Sequence, residues 1–224
     1  MKPVISDDGS ATAYSDTYRQ TYHSTHGAQT ESQVVYLQNS GVEAALQQGN
    51  ATAVLEVGFG LGLNFLLTAA CALENNTPLT YTALEHDLIS DSSFRALAYG
   101  ERISGAAALV DALAAALAHY KAGELHLQFD TVTLSILVGD ARQATLPEQI
   151  NAVYQDAFSP DANPELWTGD FLQRLCLTLR PGGTLTSYCV KGDVRRGLRD
   201  CGMTVQKLPG PPGKREVLLA VKPG

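Results

Sequence analysis

The sequence predicts a doubly wound α/β fold, with a mostly parallel seven-stranded sheet over residues 51–224, an antiparallel C-terminal edge, and an N-terminal extension over residues 1–50 packed against it. Three observations predict it. Short apolar runs alternate along the chain with segments of helical period. The first run ends in a glycine-rich loop that opens a helix. The last two runs are joined through Pro209-Gly210-Pro211-Pro212-Gly213, which suits neighbouring antiparallel strands.

Taken in order, the first fifty residues are polar, rich in Thr, Ser, Tyr and Gln, and lack sustained periodicity. They read as a cover over a core. Ala53-Val54-Leu55-Glu56-Val57 is apolar enough for a central strand buried on both faces. Leu63 to Leu73 reads as a helix and Tyr81 to Glu85 as the second strand. In the Ala-rich segment Gly105 to Tyr120, Leu109, Leu113 and Leu117 stand four apart on one helix face. Leu125, Leu127 and Phe129, then Val132, Leu134, Ile136 and Val138, alternate with other residues and read as two strands around a turn at Asp130-Thr131, the second ending at Gly139-Asp140. Ala152-Val153-Tyr154 leads to Asp156 as a core strand. Phe171 to Leu179 is a helix stopped by the turn signal Arg180-Pro181-Gly182-Gly183. Thr184 to Val190 is a strand and Val194 to Asp200 a short helix. Thr204 to Leu208 and Glu216 to Val221 close the sheet.

A chain of 224 residues suits one well-buried core, and 45% hydrophobic with 17% charged residues is an ordinary globular composition. The polar, acidic start lacks the apolar stretch of a secretory signal. No apolar window runs the ~20 residues of a bilayer span, so a cytoplasmic protein without a membrane partner is expected. Cys71, Cys176, Cys189 and Cys201 are scattered without metal-ligand spacing, and no metal is expected. The net charge of −7 hides an asymmetry: residues from Arg180 onward sum to +6 and the rest to −13. One basic end on an acidic body suits either solvated surface or a phosphate-bearing partner at one edge.

Glu56-Val57-Gly58-Phe59-Gly60-Leu61-Gly62 lies where a strand becomes a helix. Glycines there permit close backbone approach to a ligand, and the helix N-terminus offers unpaired N–H groups. A dinucleotide fingerprint would carry a third glycine where Leu63 stands. Glu56 would also repel a pyrophosphate, whereas it would welcome a ligand bearing a sulfonium and an ammonium. Glu85, Asp140 and Asp156 fall at successive strand ends, the edge at which such sheets bind ligands. Glu85 is placed for ribose hydroxyls, Asp140 near a base amino group, and Asp156 at the reacting end of the cleft.

This acid-x-Gly-x-Gly-x-Gly arrangement resembles the class I S-adenosylmethionine-dependent methyltransferases, with their Rossmann-like sheet. The resemblance implies S-adenosylmethionine as cofactor, with ribose on Glu85, adenine near Asp140 and Ala141, and the methionine moiety along Gly58, Gly60 and Gly62, beside Glu56, Phe59 and Asn64. A narrower resemblance rests on three stretches: Glu56 to Phe65, Asp156-Ala157-Phe158-Ser159-Pro160 through Asn163-Pro164-Glu165-Leu166-Trp167, and Val194-Arg195-Arg196-Gly197-Leu198 with Gly213-Lys214-Arg215-Glu216. Together with Asp8-Gly9-Ser10 and Tyr22 to Ser32, they look like the methyltransferase domain of the bacterial bifunctional tRNA-modification enzymes of MnmC type and their stand-alone MnmD-type relatives. That family implies methylation of the 5-aminomethyl group of wobble uridine, acting after a separate enzyme has installed that group. With 224 residues, no oxidase half is expected here.

By the same resemblance Asp156 is the catalytic residue, and the tRNA anticodon stem-loop is the partner. Tyr22, His23, Glu31, Phe158, Arg195, Arg196, Lys214 and Arg215 are then substrate-binding, the cations lying on stem phosphates, which position without specifying. A primary alkylamine has a pKa near ~10 and is mostly protonated at neutral pH, so a carboxylate that binds it and takes its proton suits the chemistry. A methyltransferase of small amines or protein side chains, a nicotinamide-dependent oxidoreductase and a non-catalytic nucleotide-binding module are the competing readings. Trp167 is read as a core anchor.

Overall fold

In a computed structural model, residues 3–224 are described. The chain opens with a small antiparallel sheet, β1 (Pro3–Ile5), β2 (Ala11–Ser15) and β3 (Gln20–Thr21). Helix α1 (Ala28–Glu31) runs directly into a π-helical stretch, Ser32–Gln38, followed by α2 (Val42–Gln47). The segment that reads as featureless therefore has its own order. Its Ala11, Ala13, Ala28, Val35, Tyr36 and Leu37 are buried in the same apolar cluster as the main sheet. Asp8 stitches it together, accepting from the Ser10 amide (3.0 Å), the Thr30 amide (3.0 Å) and the Thr30 hydroxyl (2.8 Å).

The main sheet starts with β4 (Thr52–Val57), followed by α3 (Leu63–Glu74) and β5 (Leu79–Glu85). Two short helices, α4 (Asp91–Arg95) and α5 (Tyr99–Arg102), lead to α6 (Ala107–His119). The hairpin β6 (Glu124–Phe129) and β7 (Val132–Val138) precedes β8 (Ile150–Gln155), and a 3₁₀ turn Pro164–Trp167 precedes α7 (Gly169–Thr178). Then come β9 (Leu179–Ser187), α8 (Gly192–Asp200), β10 (Thr204–Pro209) and β11 (Glu216–Val221).

The strand order is β10-β11-β9-β8-β4-β5-β7-β6, eight strands rather than the predicted seven. The five from β9 to β7 are parallel, while β11 and β6 join them antiparallel at opposite ends. The segments read as strands from the sequence already number eight, β6 among them, and the hairpin turn folds β6 back onto β7 as expected. Residues along β4 alternate between two apolar clusters, Val54 in one and Leu55 and Val57 in the other. That alternation explains why the strand is apolar throughout: helices cover both faces.

Two boundaries differ from the sequence reading. Arg180-Pro181-Gly182-Gly183 is not a turn before the strand but part of β9, and the strand ends at Ser187 rather than Val190. Ile150 pairs with Leu179 and Ala152 with Thr184, so the Pro-Gly stretch is a bulge absorbed within the strand. A side chain at Gly183 would stand 3.0 Å from the Ile150 carbonyl oxygen, which explains why only glycine fits.

Among the described residues no helix is long and apolar enough to cross a membrane. The same residues contain no group of three or more His, Cys, Asp or Glu suited to a metal ion.

Candidate active site

Register brings the candidate residues together. Val57 pairs with Leu84 on one side and Gln155 on the other, and Glu85 pairs with Val138. The glycine loop after β4, Glu85 ending β5, Asp140 after β7 and Asp156 after β8 therefore share one carboxyl edge. The chain runs outward from β4 in both directions there, which leaves a crevice for a ligand. The crevice is a cavity of about 590 Å³. Its lining includes Gly58, Phe59, Gly60, Glu85, Asp140, Ala141, Asp156 and Phe158, with Tyr22, His23, Glu31 and Lys214 from elements at the two ends of the chain.

The glycines are required by crowding. Gly58 has φ +89°, and a Cβ there would lie 3.1 Å from the Asp156 carbonyl oxygen and 3.3 Å from Ala157 Cα. Loop and β8 thus meet backbone to backbone. A Cβ on Gly60, φ +54°, would lie 3.0 Å from the Tyr22 ring. Glu85 turns its carboxylate back into this loop, accepting from the amides of Gly60 (2.7 Å), His86 (2.8 Å) and Asp87 (3.0 Å). Burial raises its proton affinity while these amides pull the other way. Asp140 is held by Arg142, whose Nε and Nη2 donate at 2.9 Å and 2.7 Å. That pairing pulls its carboxyl down to about 2.

Asp156 is gripped on both oxygens. The buried Tyr36 hydroxyl donates to Oδ1 at 2.5 Å, and Asn64 Nδ2 donates to Oδ2 at 2.8 Å. Burial pushes its carboxyl up to about 8, aided by Glu31 and opposed by the bonds from Tyr36 and Asn64 and by the Lys214 charge. The same Asn64 amide donates to Glu56 Oε1 at 2.8 Å. Glu56 itself is fully buried, with its proton affinity raised well above the usual carboxylate range, chiefly by burial.

Three residues expected against the cofactor therefore do not line the cavity. Glu56 points under α3 because alternation along β4 turns it away from the crevice, and Asn64 bridges it to Asp156. Gly62 caps α3 in the left-handed conformation beneath the Phe59 ring. Phe59 reaches the cavity but packs its ring toward Phe65, 6.3 Å between centroids.

Among the residues expected on the substrate, Tyr22 meets Phe158 edge-on at 5.1 Å, and Tyr18 stacks on the same ring at 4.2 Å. Gln20 donates to the Ser159 hydroxyl at 2.8 Å, clamping the N-terminal hairpin to the segment after β8. His23 is buried against Thr12, 3.1 Å from Nδ1, and burial pushes it down to about 4, so the ring is neutral at physiological pH. Trp167 is a buried anchor, as its sequence context predicts, donating to the Phe158 carbonyl at 2.8 Å.

The basic residues divide. Lys214 was expected on phosphate but lies inside the cavity, 3.1 Å from buried Glu31 and 4.8 Å above the Tyr188 ring. The β10–β11 loop packs Gly213 against His26, which turns Lys214 inward. Arg195, Arg196 and Arg215 lie outside the cavity. Arg196 pairs with Asp193, Arg195 Nε donates to the Val190 carbonyl at 3.2 Å, and Arg215 is exposed. Tyr18, Tyr36 and Tyr188 are site residues that sequence reasoning missed. The run Val34-Val35-Tyr36-Leu37 was the available signal for Tyr36, an apolar stretch within a polar extension.

Comparison with known proteins bears on this geometry. Residues 105–223 match the model of a family described as S-adenosyl-L-methionine-dependent methyltransferase. The chain is 34% identical over 229 residues to the tRNA 5-methylaminomethyl-2-thiouridine biosynthesis bifunctional protein MnmC of Ralstonia nicotianae, covering 99% of this chain and 34% of that protein. It is 36% identical over 220 residues to its namesake in an Acidovorax species, covering 96% and 34%. The chain thus spans about one third of the length of these curated relatives. The crystal structure of MNMC2 from Aquifex aeolicus superposes with a TM-score of 0.81 at 26% identity, covering all of this chain and 72% of that one.

Proposed function

Because the chain belongs to the S-adenosyl-L-methionine-dependent methyltransferase family, we propose that it methylates the 5-aminomethyl group of the wobble (2-thio)uridine of tRNA, giving 5-methylaminomethyl-(2-thio)uridine. The observation that carries this reading is Asp156, a carboxylate oriented by two donors inside the cavity, with a proton affinity suited to an alkylammonium. The relatives' part in tRNA 5-methylaminomethyl-2-thiouridine biosynthesis supports the choice of acceptor.

The cavity suits the cofactor by its own features. Gly58 and Gly60, packed too closely against Asp156 and Tyr22 to carry a side chain, bring bare backbone to the cavity wall, and Glu85 stands at the rim where ribose hydroxyls are held in such sheets. Gly58, Gly60, Glu85, Asp140 and Ala141 would hold S-adenosylmethionine, whose sulfonium supplies the methyl group. The acceptor enters as an ammonium. Asp156 binds it, takes one proton and presents the neutral amine's lone pair. Tyr22 and Phe158 wall the approach, and most acceleration comes from alignment. The wobble base lies in a single-stranded loop, so drawing it into the cavity costs less than flipping a paired base.

In this reading Arg195, Arg196 and Arg215 meet anticodon stem-loop phosphates, and an earlier enzyme in the cytoplasm supplies the primary amine. The test is nucleoside mass analysis of tRNA bearing 5-aminomethyl-(2-thio)uridine after incubation with protein and S-adenosylmethionine. Appearance of the methylated nucleoside supports the reading; unchanged nucleoside sinks it. Glu85→Ala should weaken S-adenosylmethionine binding by roughly 1–3 kcal/mol. Calorimetry on the folded variant checks this, and unaltered affinity would remove Glu85 from the cofactor site.

A further inference from the structure

We propose that Tyr36 is a positioning residue for methyl transfer: its hydroxyl, donated to Oδ1 of Asp156 from the π-helical stretch, fixes the plane of that carboxylate toward the acceptor. This rests on the reading of Asp156 given above.

The geometry is specific. Tyr36 is buried, its ring lies 5.4 Å from that of Tyr154, and its hydroxyl bonds Asp156 at 2.5 Å across 120 residues of sequence. Burial raises its own proton affinity well above that of an ordinary phenol, so it remains a donor throughout the working pH range. Asn64 holds the second oxygen at 2.8 Å. With one donor on each oxygen the carboxylate cannot rotate without breaking a bond, and its remaining lone pairs are left for an incoming ammonium. A π-helical stretch shifts side chains from their α-helical positions, and such turns concentrate at functional sites. Here it follows α1 directly, so Glu31 enters the cavity while Tyr36 reaches beneath it to Asp156.

The charged and titratable groups facing Asp156 come from every side. They are Glu31 from α1, Tyr36 from the π-helical stretch, Glu56 behind Asn64 with Tyr81 from β5, Tyr188 after β9, and Lys214 from the β10–β11 loop. Among them, Tyr36 and Asn64 bond the carboxylate directly. A hydrogen bond to the ionised form lowers a carboxyl pKa, so removing the Tyr36 hydroxyl must raise it.

The experiment is Tyr36→Phe, which keeps the ring and deletes the donor. Expected are a kcat at least about tenfold lower, since small misalignments at a reacting centre are costly, and KM values for both substrates within about twofold of wild type. The acid limb of kcat/KM should move to higher pH. In the protein without cofactor, the Asp156 carboxyl followed by carbon-13 NMR should titrate at higher pH than in wild type. A thermal melt near wild type certifies the fold. In an Asp156→Asn background, Tyr36→Phe should cost little more, because the oriented group is already gone. A folded Tyr36→Phe protein with wild-type kcat and an unmoved Asp156 titration overturns the proposal. So does a full additional loss in the Asp156→Asn background. If Asp156→Asn itself keeps full activity, the reading of Asp156 fails instead.

Discussion

Asp156→Asn should lower kcat by about 10²–10⁴-fold, the usual cost of removing a general base, while leaving the fold and cofactor binding in place. The amide keeps the shape and can still meet Tyr36 and Asn64, so the loss reports proton transfer and charge rather than a cavity. A loss below tenfold at saturating tRNA would remove Asp156 from the chemistry. The pH profile gives a second check. In the free site burial pushes the Asp156 carboxyl up to about 8, so below that pH it is mostly neutral and cannot take the ammonium's proton. The acceptor amine itself titrates near ~10. Activity needs one proton shared between the pair, so kcat/KM should climb through pH 8 and fall beyond the amine's own pKa. Bound ammonium favours the ionised carboxylate, so the acid limb of kcat should lie below that of kcat/KM.

Replacing Arg195, Arg196 and Arg215 together with Gln should raise the KM for tRNA by roughly tenfold or more and flatten its salt dependence. Each lost phosphate contact removes about one from the log–log salt slope. Lys214 is left out deliberately, because it sits in the cavity against Glu31 and its loss would disturb the site as well as the charge. Lys207, with Arg215 and Arg195 nearby, holds Glu216 below its usual range, so these cations share one surface at the β10–β11 hairpin. S-adenosylmethionine affinity should stay near wild type, since none of the three lines the cavity. An unaltered salt slope would move the RNA-docking edge elsewhere and favour a small-amine acceptor.

The parts of the site legible in sequence are those that follow from strand-local patterning. An apolar run ending in Gly58 and Gly60, and acids at the ends of β5, β7 and β8, are consequences of a parallel sheet wherever it occurs. The rest depends on tertiary packing. Lys214 and Arg215 are adjacent cations in sequence, yet one points into the cavity and the other to solvent, because the loop rests on His26. Glu56 looked like a ligand for positive charge, but strand alternation buries it with Asn64 instead. Tyr36 carries no periodic signal, since a π-helical stretch matches neither the helix nor the strand template. Arg180 to Gly183 misled for the opposite reason: turn residues were used to build a bulge inside a strand.

The wide spacing of the site along the chain has a consequence for how it comes into being. Tyr36 waits for Asp156 across 120 residues, Gln20 for Ser159 across 139, and Ser40 for Thr184 across 144. Contacts so distant close late, because the intervening chain must first be ordered. During synthesis, the first forty residues leave the ribosome long before their partners exist. Until the second half arrives, the N-terminal segment has local bonds such as those of Asp8 but lacks these three distant partners. Regain of activity on refolding should accordingly trail the formation of β4 and β5, and coincide with the docking of the N-terminal segment.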